Sequence, residues 1–298
     1  MLTDKIRLSG PETHEPEDYL SSALAVIFPD DITNQHGDRD SSVLYLSPSH
    51  GAIDLTLADP LGEDSRKLFS HFLWNAGVQL AEFIEEGRSI HGADGREEGR
   101  EEWSVRGERV LELGAGTGLA GLMAAFESAE MVVISDYPAL EVLNNISANV
   151  ERNLKPRKAE NPATVADVEV HGHEWGELDD TFSIENKASF GRILVADCLW
   201  MPWQHMNLLK SISWFLKDAD GRAWVVAGFH TGREKMKGFY EEEALNDAGL
   251  EIDKIWERNA QGSERVWVED RGFEDATERK RWLVVGILKK KAGRRQAL

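Results

Sequence analysis

Apolar residues fall along this chain in short blocks whose spacing predicts strands and helices in alternation. Val43–Leu46 and Ile53–Leu57 read as the two strands of a hairpin. Asp54 and Thr56 alternate with Ile53, Leu55 and Leu57, and SPSHG supplies the turn. Over Leu68–Glu86 the apolar residues Leu73, Ala76, Leu80, Phe83 and Ile84 recur at helical steps, which predicts a helix stopped at Gly87. Arg109–Leu113 is an apolar run of the kind a buried parallel strand shows. A helix over Leu119–Glu127 follows, then a second strand, Met131–Ser135, ending in Asp136. Pro138 suits the first turn of the next helix, with Leu140, Leu143, Ile146 and Val150 on one side, and Lys155–Ala163 reads as a charged loop. Val165–Val170, Arg192–Ala196, Ala223–Gly228, Leu250–Trp256 and Trp282–Leu288 are the remaining predicted strands. Helices are expected over Met206–Leu216 and over Lys235–Ala248, the latter ended by Gly249.

Strands alternating with helices predict an α/β domain built on a mainly parallel sheet, with seven strands from Arg109 onward. The stretch before Trp103 then forms a cap of hairpin and helix. Residues 1–18 are polar and broken by Pro11 and Pro16, Glu17–Phe28 has the spacing of a short helix, and 29–42 is loop by composition. The expected organisation is a mostly flexible segment over 1–40 and a single domain over 41–298 that includes the cap, 41–102.

Composition narrows the function classes. Hydrophobic residues make up 41% of the 298, enough for a substantial core. The 34 basic and 53 acidic residues leave a net charge of −19, which repels phosphate backbones and argues against nucleic acid as a partner. A basic protein segment or a cationic small molecule suits that field, and so does an acidic surface that serves solubility alone. The lone cysteine, Cys198, suits a reducing compartment. MLTDKIRLSG lacks the apolar centre of a secretory signal, and no apolar run approaches the roughly 18 residues of a membrane span. A cytoplasmic protein, with nuclear access open, is expected.

Chemistry concentrates at residues 109–136, a strand–glycine loop–helix–strand–acid unit. Gly114, Gly116 and Gly118 let the backbone turn sharply and lie against a ligand, and Asp136 is placed to accept hydrogen bonds from ribose hydroxyls. Gly116, Gly118 and Gly121 also satisfy the dinucleotide pattern Gly-x-Gly-x-x-Gly. That alternative starts two residues beyond the predicted strand end and leaves Glu112 without a role. The form Gly-x-Gly-x-Gly preceded by an acid is the pattern of class I S-adenosylmethionine methyltransferases, whose sheet has seven strands with the last antiparallel.

Several further stretches resemble the protein methyltransferases of family 16: HFLWNAG at His71–Gly77, SDYP at Ser135–Pro138, NISAN at Asn145–Asn149, HEWG at His173–Gly176, and Asp197 closing the fourth strand. The similarity spans roughly residues 68–216. It is nearest to the fungal nicotinamide N-methyltransferase-like group, whose characterised members methylate the N-terminus and a neighbouring lysine of translation elongation factor 1-alpha. The resemblance implies a class I, Rossmann-like fold and S-adenosylmethionine as cofactor. It implies that Trp74 touches the cofactor from the capping helix and that Glu112, Gly114 and Gly116 line its methionine and ribose portion. Asp136 would bind the ribose, Tyr137 and Trp175 would lie at the adenine, and Asp197 would sit at the mouth where transfer occurs. The chain departs from that group at GAGTG, at DCLWMPW after the fourth strand and at AGFHTG after the fifth, places that surround the acceptor pocket.

An amine acceptor must be neutral to attack. Deprotonating a lysine at pH 7 costs on the order of 4.6 kcal/mol and an α-amine about 1 kcal/mol. Asp197, orienting the acceptor, and Trp200, walling it by cation–π contact, are the candidate catalytic pair. Against this, Trp200 and Trp203 are also compatible with core packing, and Asp197 with a cap on the following helix. His230 is the weaker candidate beside them, Cys198 reads as a small buried residue, and His171 and His173 lack partners at metal spacing. The expected activity is methyl transfer to a lysine or N-terminal amine of a protein, with a basic segment around the acceptor. A small-molecule, nicotinamide-like acceptor, a methyltransferase-fold subunit of a complex and a dinucleotide oxidoreductase are the alternatives.

Overall fold

The computed structural model describes residues 1–9, 34–37, 42–58, 72–88, 90–91, 97–98, 101–161 and 165–292. After a 3-10 turn at Leu2–Lys5, β1 (Ile6–Ser9), β2 (Gln35–His36), β3 (Ser42–Ser47), β4 (Gly51–Leu55) and β5 (Leu73–Trp74) precede helix α1 (Asn75–Glu86). The short β6 (Ile90–His91) and β7 (Glu97–Glu98) lead to β8 (Arg109–Leu113), α2 (Leu119–Phe126), β9 (Met131–Asp136), α3 (Leu140–Glu160) and β10 (Asp167–Gly172). Then come α4 (Thr181–Glu185), β11 (Arg192–Ala196), α5 (His205–Phe215), β12 (Arg222–Gly228), α6 (Arg233–Lys237) and α7 (Glu242–Ala248). The chain closes with β13 (Leu250–Asn259), β14 (Glu264–Val266), α8 (Ala276–Lys280) and β15 (Trp282–Lys290).

The main sheet has the order β10-β9-β8-β11-β12-β15-β13-β14. The five strands from β10 to β12 are parallel, and β15 lies antiparallel between β12 and β13. The expected antiparallel last strand is therefore present. The eighth strand, β14, escapes a periodicity reading because it is only three residues long and two of them, Glu264 and Arg265, are charged. Strand order reverses between β8 and β11: from β8 the chain steps outward to β9 and β10, then returns to the far side of β8. Ligands bind outside the carboxyl ends of the strands at such a switch point.

Two apolar layers cover the sheet. On one face α1, α2 and the N-terminal hairpin bury Phe83, Trp103 and Trp224, with Phe83 stacked on Trp103 at 4.2 Å. On the other, α5 and α7 bury Phe190, Phe215 and Phe239. The hairpin β3–β4 is held by an asparagine ladder. Asn149 on α3 accepts the Thr56 N–H (2.9 Å) and donates to the Thr56 carbonyl (3.0 Å), and Asn153 makes the same pair with Asp54 (3.0 and 2.8 Å). Asn145 donates to the Thr56 carbonyl as well. One helical face at four-residue spacing thus supplies the backbone bonds that an extended chain would otherwise leave unmade.

Several predicted boundaries shift: the third strand, expected over Val165–Val170, runs Asp167–Gly172, and four larger departures follow. The helix expected from Leu68 starts at Asn75, because Leu73–Trp74 are extended and pair antiparallel with Gln35–His36; residues 68–71 lie outside the described ones. The charged loop expected at Lys155 is instead the end of α3, which carries Pro156 and runs to Glu160. There the Arg157 guanidinium packs 4.1 Å from the Phe126 ring, so tertiary contact outweighs the lost proline N–H. The single helix expected over 235–248 is broken into α6, a 3-10 turn at Gly238–Tyr240 and α7. Within the segment expected to be mostly flexible, Leu2 donates its N–H to the Ala260 carbonyl (2.8 Å) and β1 pairs with β3, so residues 2–9 are part of the fold. The helix expected over 17–28 falls outside the described residues. No helix among the described residues is long and apolar enough to cross a membrane.

Candidate functional site

A cleft opens at the switch point, over the carboxyl ends of β8, β9 and β11. Its floor is the glycine loop. Gly114 (φ +67°), Gly116 (φ +56°) and Gly118 (φ +79°) all take left-handed backbone. At Gly114 a side chain has no room: a Cβ would lie 2.6 Å from the Cys198 Sγ and 2.9 Å from the Trp175 ring. The loop therefore presents bare backbone to the cleft, beneath an aromatic wall. Gly121, the last glycine of the dinucleotide pattern, sits inside α2 instead, where a Cβ would meet Ile134 and a Glu112 oxygen at 2.6 and 2.7 Å.

Two buried carboxylates underlie the loop. Asp136, at the end of β9, accepts the Gly116 N–H and the Tyr137 N–H, each at 2.7 Å. Burial outweighs those bonds and raises its pKa to about 6. Glu112 accepts the Gly121 N–H at 2.9 Å, and burial, with Asp136 nearby, pushes it up to about 8. At neutral pH Glu112 therefore keeps its proton and Asp136 is the acid that carries charge beneath the loop, where its oxygens are also offered to hydroxyl groups. Cys198 is buried between carbonyls, with its thiol pushed upward by burial and by the neighbouring carboxylates. It remains protonated, which suits a packing role and not that of a nucleophile.

The cleft brings together all nine residues singled out for cofactor and acceptor: Trp74, Glu112, Gly114, Gly116, Asp136, Tyr137, Trp175, Asp197 and Trp200. Trp74 enters from β5 at the foot of α1, Tyr137 from the turn after β9, and Trp175 from the loop after β10. Asp197 follows β11 in left-handed backbone (φ +59°), a conformation costly for most residues but tolerated by aspartate. Its carboxylate accepts the Gly228 N–H at 2.9 Å, and its own N–H reaches the Val226 carbonyl at 2.8 Å. The side chain is thus braced against β12 by that bond. Trp203 is 72% exposed and meets Trp200 edge-on at 6.5 Å, which rules out core packing for Trp203.

His171 stacks on Phe182, and His173, its pKa depressed by burial to about 4, bonds Ser211 at 2.9 Å. His230 lies on the turn after β12, its side chain outside the described residues. Sequence reasoning passed over Phe72, Thr117, Glu174, Met201 and Gln204, which also line the cleft. Glu174 and Met201 each neighbour a residue that was singled out; Gln204 carries no local signal.

The sequence profile of the family described as lysine methyltransferase matches residues 56–243. The protein N-terminal and lysine N-methyltransferase EFM7 of Yarrowia lipolytica is 28% identical over 227 residues, covering 72% of this chain and 74% of that protein. Its counterpart in Schizosaccharomyces pombe is 27% identical, covering 65% and 69%. Among solved structures, SMU.776, a proposed methyltransferase complexed with SAH, superposes with a TM-score of 0.50 at 12% identity, covering 92% of this chain and 65% of that one. That likeness concerns the fold.

Proposed function

The chain belongs to the lysine methyltransferase family, and from that membership we propose that it transfers a methyl group from S-adenosylmethionine to a protein amine, a lysine Nζ or an N-terminal α-amine. The observation that carries the reading is the pairing, in one cleft, of a bare-backbone loop over two buried carboxylates with a braced carboxylate and an indole at its mouth.

The cleft residues fit S-adenosylmethionine. The closed approach at Gly114, the flat walls of Trp74, Tyr137 and Trp175, and the Asp136 carboxylate match a ligand with an aromatic base, ribose hydroxyls and positive charge. When bound, this cofactor supplies an electrophilic methyl on a sulfonium sulfur. Gly114, Gly116, Glu112 and Asp136 would hold it on the loop side, with Trp74, Tyr137 and Trp175 around the base.

The chain's own task is then to align a neutral amine and exclude water from it. Asp197, fixed by the Gly228 N–H, orients the amine as solvent takes its proton, and Trp200 forms the apolar wall beside it. The relatives named for N-terminal and lysine methylation support an amine acceptor on a protein. The acidic field of a chain at −19 supports a basic segment around that amine.

Incubating methyl-labelled S-adenosylmethionine with the protein and a cell extract tests this. Label in a discrete protein band is expected. Label confined to the low-mass fraction assigns a small-molecule acceptor, and absence of transfer despite cofactor binding assigns a non-catalytic subunit; either overturns the proposal.

A further inference from the structure

A second built feature stands on the same edge of the sheet, beyond the cleft. Glu257 on β13 has no solvent exposure, and three guanidinium groups converge on it: Arg233 at 2.7 Å, Arg265 at 2.6 Å and Arg271 at 3.2 Å. Arg233 bonds Glu274 as well (3.1 Å) and lies over the rings of Phe229 and Trp267 at 4.2 and 5.1 Å. A buried carboxylate persists only with such partners. Together these contacts clamp the stretch 265–274 against the turn that follows β12.

Phe273 lies within the clamped stretch, between Arg271 and Glu274, which both point inward, yet it is 98% exposed. Val266, whose carbonyl accepts from Arg271, is 76% exposed on the same stretch. Holding a phenylalanine ring in water on a fixed frame forgoes about 2–3 kcal/mol of burial and contributes nothing to the fold. The exposed charges of the stretch itself are acidic, Glu269, Asp270 and Asp275, while Arg265 and Arg271 turn toward Glu257 and, on α8, Glu278 pairs with Arg281 beside the exposed Lys280.

We propose that this surface, centred on Phe273, docks the acceptor protein through a segment carrying an apolar side chain flanked by lysine or arginine. The inference rests on the protein-amine reading above. Charge complementarity selects the basic partner, and register places the surface within reach of the mouth. Ala227 on β12, Val284 on β15 and Glu257 on β13 stand in one row across the sheet, and Gly228, next to Ala227, is the residue that braces Asp197. Three strand spacings from β11 to β13 amount to roughly 14 Å, which an extended acceptor segment of about five residues spans.

The test compares wild type with Phe273→Ala, Asp270→Lys and, as a control, Ile184→Ala, an equally surface-borne apolar residue on α4 (60% exposed). The probe is methyl-labelled S-adenosylmethionine with the protein band that the wild type labels, purified from extract. The proposal predicts that Phe273→Ala raises KM for that protein about tenfold, that Asp270→Lys raises it severalfold, and that kcat and S-adenosylhomocysteine affinity stay as in wild type. Ile184→Ala leaves all three unchanged. A Phe273→Ala KM within twofold of wild type overturns the docking surface while leaving the protein-amine reading intact. Failure of the wild type to label any protein overturns both.

Discussion

At Gly114 a single hydrogen atom decides whether the cleft exists. An added methyl would enter left-handed backbone and meet Cys198 and Trp175 inside 3.0 Å. Gly114→Ala should therefore lower S-adenosylhomocysteine affinity at least about tenfold and destabilise the fold by ~1–3 kcal/mol, read by calorimetry and denaturant unfolding. Glu112 makes a pH-dependent claim. Its pKa near 8 in the fold lies above its ordinary 4.5, so the folded chain binds this proton more tightly than the unfolded one. Stability should fall as pH climbs from about 4.5 to about 8, by a few kcal/mol, and Asp136 adds the same sign between about 3.8 and 6. Unfolding of Glu112→Gln at about pH 5 and pH 8.5 should show a shallower fall than wild type; parallel curves would remove the buried-acid account. Asp197→Asn keeps an oxygen for the Gly228 N–H and tolerates left-handed backbone, so it isolates the charge. It should lower kcat at least about tenfold with cofactor-analogue affinity within about twofold. These residues were legible because their types were informative where they stood: an acid at a strand end, a glycine before a helix. Glutamine at 204 and threonine at 117 line the same cleft, but neither type signals a site without the tertiary arrangement.

Among the elements, three parallel strands were legible almost to the residue, since burial on both faces leaves largely apolar runs at 109–113, 192–196 and 222–228, whereas the sheet-edge strand β10, less buried and more polar, begins and ends two residues later than expected. Elements whose bounds depend on long-range partners were not. The start of α1 depends on Trp74 pairing with Gln35, and its helical spacing continues smoothly through the point where the backbone turns extended. In the sequence NISAN carries a resemblance alone, without a physical role. Two of its residues, Asn145 and Asn149, prove to be rungs of the ladder that docks the β3–β4 hairpin. Asn149 also donates to the Thr117 carbonyl in the glycine loop at 3.1 Å, so hairpin docking and the cleft floor share one side chain. Asn149→Ala removes the side chain that meets the Thr56 N–H and the Thr117 carbonyl and should cost ~2–4 kcal/mol in denaturant unfolding. It should also weaken S-adenosylhomocysteine binding, whereas a loss of stability with binding unchanged would uncouple the ladder from the site.

Over the whole molecule, the proposals divide the work between two features of the carboxyl edge: the switch-point cleft for the methyl donor and the stretch beyond β12 for docking the acceptor. The net charge of −19 belongs to the same scale. If it draws in a basic acceptor, kcat/KM for the protein substrate should fall severalfold between about 50 and 300 mM salt, with cofactor-analogue affinity little changed. A salt-independent rate would confine the acidity to solubility. The most direct test of the central claim is tandem mass spectrometry of the labelled protein after reaction with deuteromethyl S-adenosylmethionine. The account predicts the label on nitrogen, at a lysine Nζ or the N-terminal α-amine, and its appearance on oxygen, sulfur or carbon would contradict it.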